Sequence, residues 1–231
     1  IKNMNLGEEM EEELVKQSLY RLVLHEVGHT IGLNHNFKAS ALLTTDELNN
    51  KEIVDKMGVT SSVMDYPAIN INKNPENQAL FFDVKPGFYD IWAIQFGYTQ
   101  FNENDSQGLD KILSRSTEKE LAFANDALDM RSPGKGSDPN AMIYDLSSNQ
   151  LDHSVDKINM VVDILKNLKS KYISDNDTYE ELYRSYINLV YSYYQALNIV
   201  TRKIGGVHID LSHTDQNSEK KPFESVDKDT Q

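Results

Sequence analysis

The segment His25-Glu26-Val27-Gly28-His29 sets two imidazoles four residues apart, with a carboxylate directly after the first. On a helix, residues four apart share one face about a turn from each other, so both rings can reach a single ion. Glu26 then projects beside that ion rather than onto it, where a general base is wanted. Gly32 breaks the helix, and three residues later His35 can swing back as a third ligand. Three neutral imidazoles leave the fourth tetrahedral position open for water, whose pKa a zinc ion can lower to around 7. These residue types point to one catalytic Zn2+ and to hydrolysis without a covalent nucleophile.

A second motif agrees. Ser62-Val63-Met64-Asp65-Tyr66 follows in a turn-rich stretch that ends at Pro67. The pattern H-E-x-x-H-x-x-G-x-x-H followed by S-V-M-x-Y resembles the metzincin clan of zinc peptidases, including astacins and serralysins. The resemblance implies that Met64 forms a tight turn beneath the metal, with Gly32 as the structural break before the third ligand. It also implies that Tyr66 approaches the metal and steadies the oxyanion of the tetrahedral intermediate. More narrowly, His25–Ser40, Ser61–Ala68 and Tyr89–Thr99 look like the bacterial Met-zincin family, over most of the chain to about Phe223. That likeness implies an exported zinc peptidase with a peptide or protein substrate. Metzincins place a sheet before the active-site helix, whose edge strand pairs with substrate. Only 24 residues precede His25, and they read as helix, so that sheet is expected to be missing here and supplied by the remainder of a parent chain.

The elements that must position these groups can be read from periodicity. Residues 8–31 read as one helix, with Met10, Leu14, Val15, Leu19, Leu22, Val23, Val27 and Ile31 at three- and four-residue spacing and acidic residues at its start. Thr44 and Glu47 form a capping box before a short helix carrying Leu48, Ile53 and Val54. A further helix fits 88–96, closed by Gly97. Leu121–Asn125 reads as a short strand, and Ser132–Gly136 as a plain loop. Two long helices follow, one carrying Leu151 to Tyr172 and one carrying Tyr179 to Ile204. Asp177 with Glu180 caps the second, and Gly205-Gly206 ends it. The short linker Ser174–Asp177 makes the pair an antiparallel hairpin. Most tyrosines of the second helix sit at core spacing, among them Tyr179, Tyr186 and Tyr193, and read as packing rather than as a binding stripe.

The fold class expected is mainly α, α+β at most: a metzincin-type active-site helix, the methionine turn, the following helix and a C-terminal helical hairpin. Four parts follow: 1–100 as the zinc-binding catalytic portion, 101–150 as an irregular connection, 151–211 as a helical portion, and 212–231 as a polar tail expected to fray. His153, His208 and His213 match no ligand spacing and read as surface or structural. Asp126, Asp129 and Asp138 form a loose acidic cluster around a loop, where calcium is a secondary option although the spacing is not that of an EF-hand.

A net charge of −13 over 231 residues argues against nucleic acid, which demands a basic face. No apolar run is long enough to span a membrane, and the lack of cysteine excludes disulfides and thiolate ligands. The function read is a zinc-dependent endopeptidase. Its rivals are a structural zinc-binding module without catalysis and a zinc hydrolase acting on a non-peptide bond.

Overall fold

The computed structural model describes residues 7–72, 74–102, 107–128, 136–172, 178–216 and 221–231. It is mainly helical: α1 (Glu8–Thr30), α2 (Thr45–Leu48), α3 (Lys51–Met57), α4 (Phe88–Tyr98), α5 (Gly108–Leu113), α6 (Gln150–Tyr172) and α7 (Tyr179–Thr201). Among the described residues the strands are β1 (Val207–Ile209) and β2 (Phe223–Ser225), paired antiparallel with His208 opposite Glu224. Thus part of the stretch read as a polar tail returns to pair with the segment after α7. The linker 174–177 and Asp129, with most of the 132–136 loop, lie outside the described residues.

α1 stops where the sequence says it should. Gly32 adopts φ 91°, the left-handed conformation that favours glycine. Leu33 N–H donates to the Gly28 carbonyl and Gly32 N–H to that of His29, the paired bonds of a Schellman motif. The Thr44–Glu47 capping box is formed in full. The single short helix expected after it is divided in two, because Asn50 caps a fresh start by accepting from Glu52 N and Ile53 N. α2 and α3 close a core of Leu42, Leu43, Leu48, Val54, Val59, Ala68 and Leu146, against which Phe88 packs.

Three local expectations are corrected. Gly97 lies inside α4, which runs on to Tyr98, whose hydroxyl donates to the Ile31 carbonyl at 3.0 Å. Residues 119–121 form a 3-10 turn, and 122–125 are extended without being a strand. Their backbone is satisfied instead by Asn36, whose side chain donates to Ala122 O and accepts from Ala124 N, and by Phe37 N donating to Ala124 O. Three tyrosines of α7 recur at seven-residue spacing, and of these Tyr179 and Tyr186 are 69 % and 48 % exposed while Tyr193 is half-buried. α7 packs on α6, and its buried residues are Ala196 and Ile199, with Leu182 and Leu189 half-buried. α7 begins at an N-cap of Thr178 without a side-chain cap bond, and it ends at Thr201, before Gly205 turns the chain at φ 69°.

Candidate metal centre

His25 is carried into the interior by a helix face of mixed polarity. The buried residues of α1 are Leu14, Gln17, His25 and Gly28, at helical spacing. Gln17 accepts from the backbone N–H of Phe81 at 2.7 Å and of Phe82 at 3.2 Å. One turn on, Arg21 donates to the Asp65 carbonyl, and after another turn His25 donates from Nδ1 to the Val63 carbonyl at 2.8 Å. Val15, Leu19, Leu22, Val23 and Val27, read from sequence as part of one packed stripe, are 49 % to 60 % exposed. The helix is docked by side chains that satisfy loop backbone, and those bonds set its rotation.

The loop it docks on is the methionine turn. Met64 is fully buried, and its sulfur lies so close to Gly28 that a Cβ there would collide with it. Glycine at the fourth position of His25–His29 is therefore a packing requirement, letting the turn press against the underside of the helix. Three buried carboxylates hold this turn. Asp90, at the start of α4, accepts from Ser62 Oγ, Val63 N and Gly87 N. Asp83 accepts from Val59 N, Thr60 N and Thr60 Oγ1. Asp65 accepts from Ser40 N and Tyr66 N. Burial pushes the Asp83 pKa up to about 6 and raises that of Asp90. Burial, and next the neighbouring Asp145, push Asp65 well above the usual carboxylate range. The accepted N–H bonds oppose the shift in each case, since they favour the charged form. Asp83 and Asp90 belong to no motif in the sequence, and each of the three carboxylates accepts from a backbone segment more than twenty residues away.

His25, His29 and His35 converge. Their ring centroids lie 4.7 to 5.3 Å apart, and one ring nitrogen from each falls within 4.8 Å of the others, a group that could hold a metal ion. The opposite nitrogens are occupied. His25 Nδ1 meets Val63 O, His29 Nδ1 meets Leu33 O at 3.0 Å, and His35 Nδ1 meets the Asp126 carboxylate at 2.7 Å. Carbonyl oxygens only accept, so Nδ1 carries the proton in His25 and His29, and the carboxylate imposes the same tautomer on His35. Each Nε2 is left with a lone pair. His25 Nε2 is buried without a hydrogen-bond partner, a cost that coordination to a cation would remove. Burial lowers the His25 pKa, the bond to Val63 opposing it, which keeps the ring in the neutral form that binds metal. The donor set fits a divalent cation that favours imidazole nitrogen.

Tyr66 reaches the same point. Its hydroxyl stands 3.0 Å from His35 Nε2 and its ring stacks on His25 at 4.9 Å. Glu26, next along α1, is exposed. Of the acidic cluster read in the sequence, Asp126 serves His35, while Asp138 is buried and pairs with Lys38 at 2.7 Å, so the two act in different places. His208 sits 3.6 Å from Asp138, and His153 lies half-buried on α6. Neither approaches the three histidines closely enough to join the metal-capable group.

A family model described as Met-zincin matches residues 7–231. No curated protein and no solved structure matches the chain.

Proposed function

The chain belongs to the Met-zincin family, and from that premise we propose that it is a zinc-dependent endopeptidase in which Glu26 is the general base. The observation that carries this reading is the common orientation of three imidazoles: each proton is pinned outward on Nδ1, and the three remaining nitrogens point to one place. When bound by His25, His29 and His35, zinc supplies a Lewis acid that acidifies water and polarises a peptide carbonyl. The Val63 and Leu33 carbonyls and the Asp126 carboxylate hold the ring protons, so that the metal-facing lone pairs persist and ligand basicity rises. The Glu26 carboxylate takes the proton lost by the attacking water and returns it to the leaving amine. The Tyr66 hydroxyl, already within reach of His35 Nε2, turns to donate to the developing oxyanion. The Met64 turn and Gly28 keep the floor of the site fixed while these groups work.

Among the described residues the metal-capable group contains three histidines. A structural zinc site closes with four protein ligands, and three favour an open catalytic position. The test is Glu26→Gln in the full protein. It keeps the side chain's size and removes the basic oxygen, so hydrolysis of an unstructured protein substrate should fall by about 10²–10⁴-fold. Zinc content, measured on the same samples, should be unchanged. Wild-type activity in the variant would remove Glu26 as base, and loss of zinc would make it a support of the metal site instead.

A further inference from the structure

Beside Tyr66 the chain forms a cavity of about 500 Å³. That is within the range of pockets that take a small ligand or a side chain, roughly 300–1,000 Å³. Its walls come mainly from the run Tyr66 to Asn72 and from the α6–α7 hairpin, including Lys157, Met160 and Gln195, with further residues from α2, Phe82 and Tyr144. Arg21 of α1 also lines it, one helical turn before His25. The Arg21 guanidinium lies over the Tyr66 ring at 5.5 Å and the Phe82 ring at 5.9 Å, so it forms a fixed, cationic wall toward the metal centre.

The charges lining this cavity do not balance. Lys157 faces it from α6, and among the described residues no hydrogen bond or ion pair reaches its ammonium. Asp156, the carboxylate among the lining residues, already has a partner. Asp145, whose charge is felt at Lys157, is tied to Ser40 Oγ and to Gln150 Nε2. Burial lowers the Lys157 pKa, the expected cost of holding an ammonium away from bulk water without a direct counter-ion. An ammonium so placed, with a guanidinium across the same space, is an arrangement that an anion relieves.

We propose that this cavity binds the carboxylate side chain of an aspartate or glutamate in the polypeptide substrate, with Lys157 as its counter-ion and Arg21 and Tyr66 as the wall toward the histidines. The proposal rests on the peptidase reading and deepens it: the α6–α7 hairpin selects substrate. Tyr66 belongs to both sites, through its hydroxyl at His35 and its ring at the cavity, so an acidic residue seated there lies close to the bond presented to the metal.

The test uses the full protein and three labelled probes of matched length. Two are N-acetylated, C-amidated peptides differing only in one Glu or Gln; the third has no acidic side chain but a free C-terminal carboxylate. Fluorescence anisotropy on metal-free protein reads affinity without turnover, and cleavage is followed separately on zinc-loaded protein. The Glu peptide should bind about tenfold tighter than the Gln peptide or better, as a charge-assisted hydrogen bond gives. Lys157→Met, which keeps the aliphatic stem, should erase that preference, and Lys157→Arg should retain most of it. Equal affinity for the Glu and Gln peptides, or a preference surviving in Lys157→Met, overturns the proposal. Tighter binding of the free-carboxylate peptide than of the Glu peptide also overturns it, in favour of chain-terminus recognition. A Lys157-dependent Glu preference without cleavage upholds the pocket and sinks the peptidase reading. Cleavage indifferent to Lys157 and to acidic residues does the reverse.

Discussion

α1 and α7 are each 23 residues long and each carries a run of large apolar side chains, but they are held in place by different forces. α7 lies on α6 through Ala196, Ile199 and half-buried leucines, an interface of side chain on side chain. α1 is fixed by Gln17, Arg21 and His25, each donating to or accepting from the backbone of the 63–65 and 81–82 segments. Apolar packing tolerates exchange and small rotations, because hydrophobic burial is non-directional. A hydrogen bond to a buried backbone group does not. The half that must hold three nitrogens on one point is built by directional bonds, and the helical hairpin is built by burial.

The largest break in that contrast is expected at Asp90. Replacing it with Ala leaves Val63 N, Gly87 N and Ser62 Oγ without their buried acceptor, at a cost of about 3 kcal/mol or more. Because Val63 also supplies the carbonyl that orients His25, zinc affinity should fall with stability. Denaturant unfolding and a zinc competition titration on the same variant check both. Next in size is Gly28→Ala. The added methyl must displace the fully buried Met64 sulfur, and overpacking of this kind costs about 1–3 kcal/mol. Met64→Ala in the same background should recover part of the loss, which a double-mutant cycle would measure.

A conditional effect, felt only in acid, is expected in the hairpin. Burial, and next Lys157, lower the His153 pKa to about 4, against an unfolded value of about 6.5. Between those limits the unfolded chain binds a proton that the folded chain refuses. Its share of stability is therefore complete above about pH 6.5 and is lost as pH falls toward 4. His153→Gln should flatten that part of the profile of melting temperature against pH. The smallest change is expected on the outer face of α7. Tyr183→Ser and Tyr194→Ser remove exposed rings, and each should alter stability by no more than about 0.5 kcal/mol. A loss above 2 kcal/mol in either would mean that this face is buried in solution and that the contrast between the two helices is misplaced.

What could be read from sequence follows the same division. The histidines, the Gly32 stop, the Thr44–Glu47 box and the hairpin are local patterns, in which spacing specifies geometry, whereas the place of Met64 comes from the resemblance to a known family. Asp126 could not be found that way, since it meets His35 across 91 residues. Nor could Asp83 and Asp90, whose partners are the backbone of a distant loop. Residues 122–125 show the apolar character of a strand, but Asn36 takes the hydrogen bonds a neighbouring strand would have supplied. On α1 and α7, periodicity revealed an amphipathic helix and not which way it turns. Gln17, His25 and Gly28 decide the first rotation, and on α7 the buried positions are Ala196 and Ile199 rather than the tyrosines.

The central claim is that His25, His29 and His35 present three Nε2 lone pairs to one catalytic ion. X-ray absorption at the zinc edge, on full protein loaded with one equivalent, tests it directly. The account predicts three nitrogen neighbours at about 2.0–2.1 Å, with the remaining scatterer an exchangeable oxygen. His35→Ala should lower both the nitrogen count and the affinity. Four protein ligands in the wild type, or an unchanged nitrogen shell in His35→Ala, would contradict it.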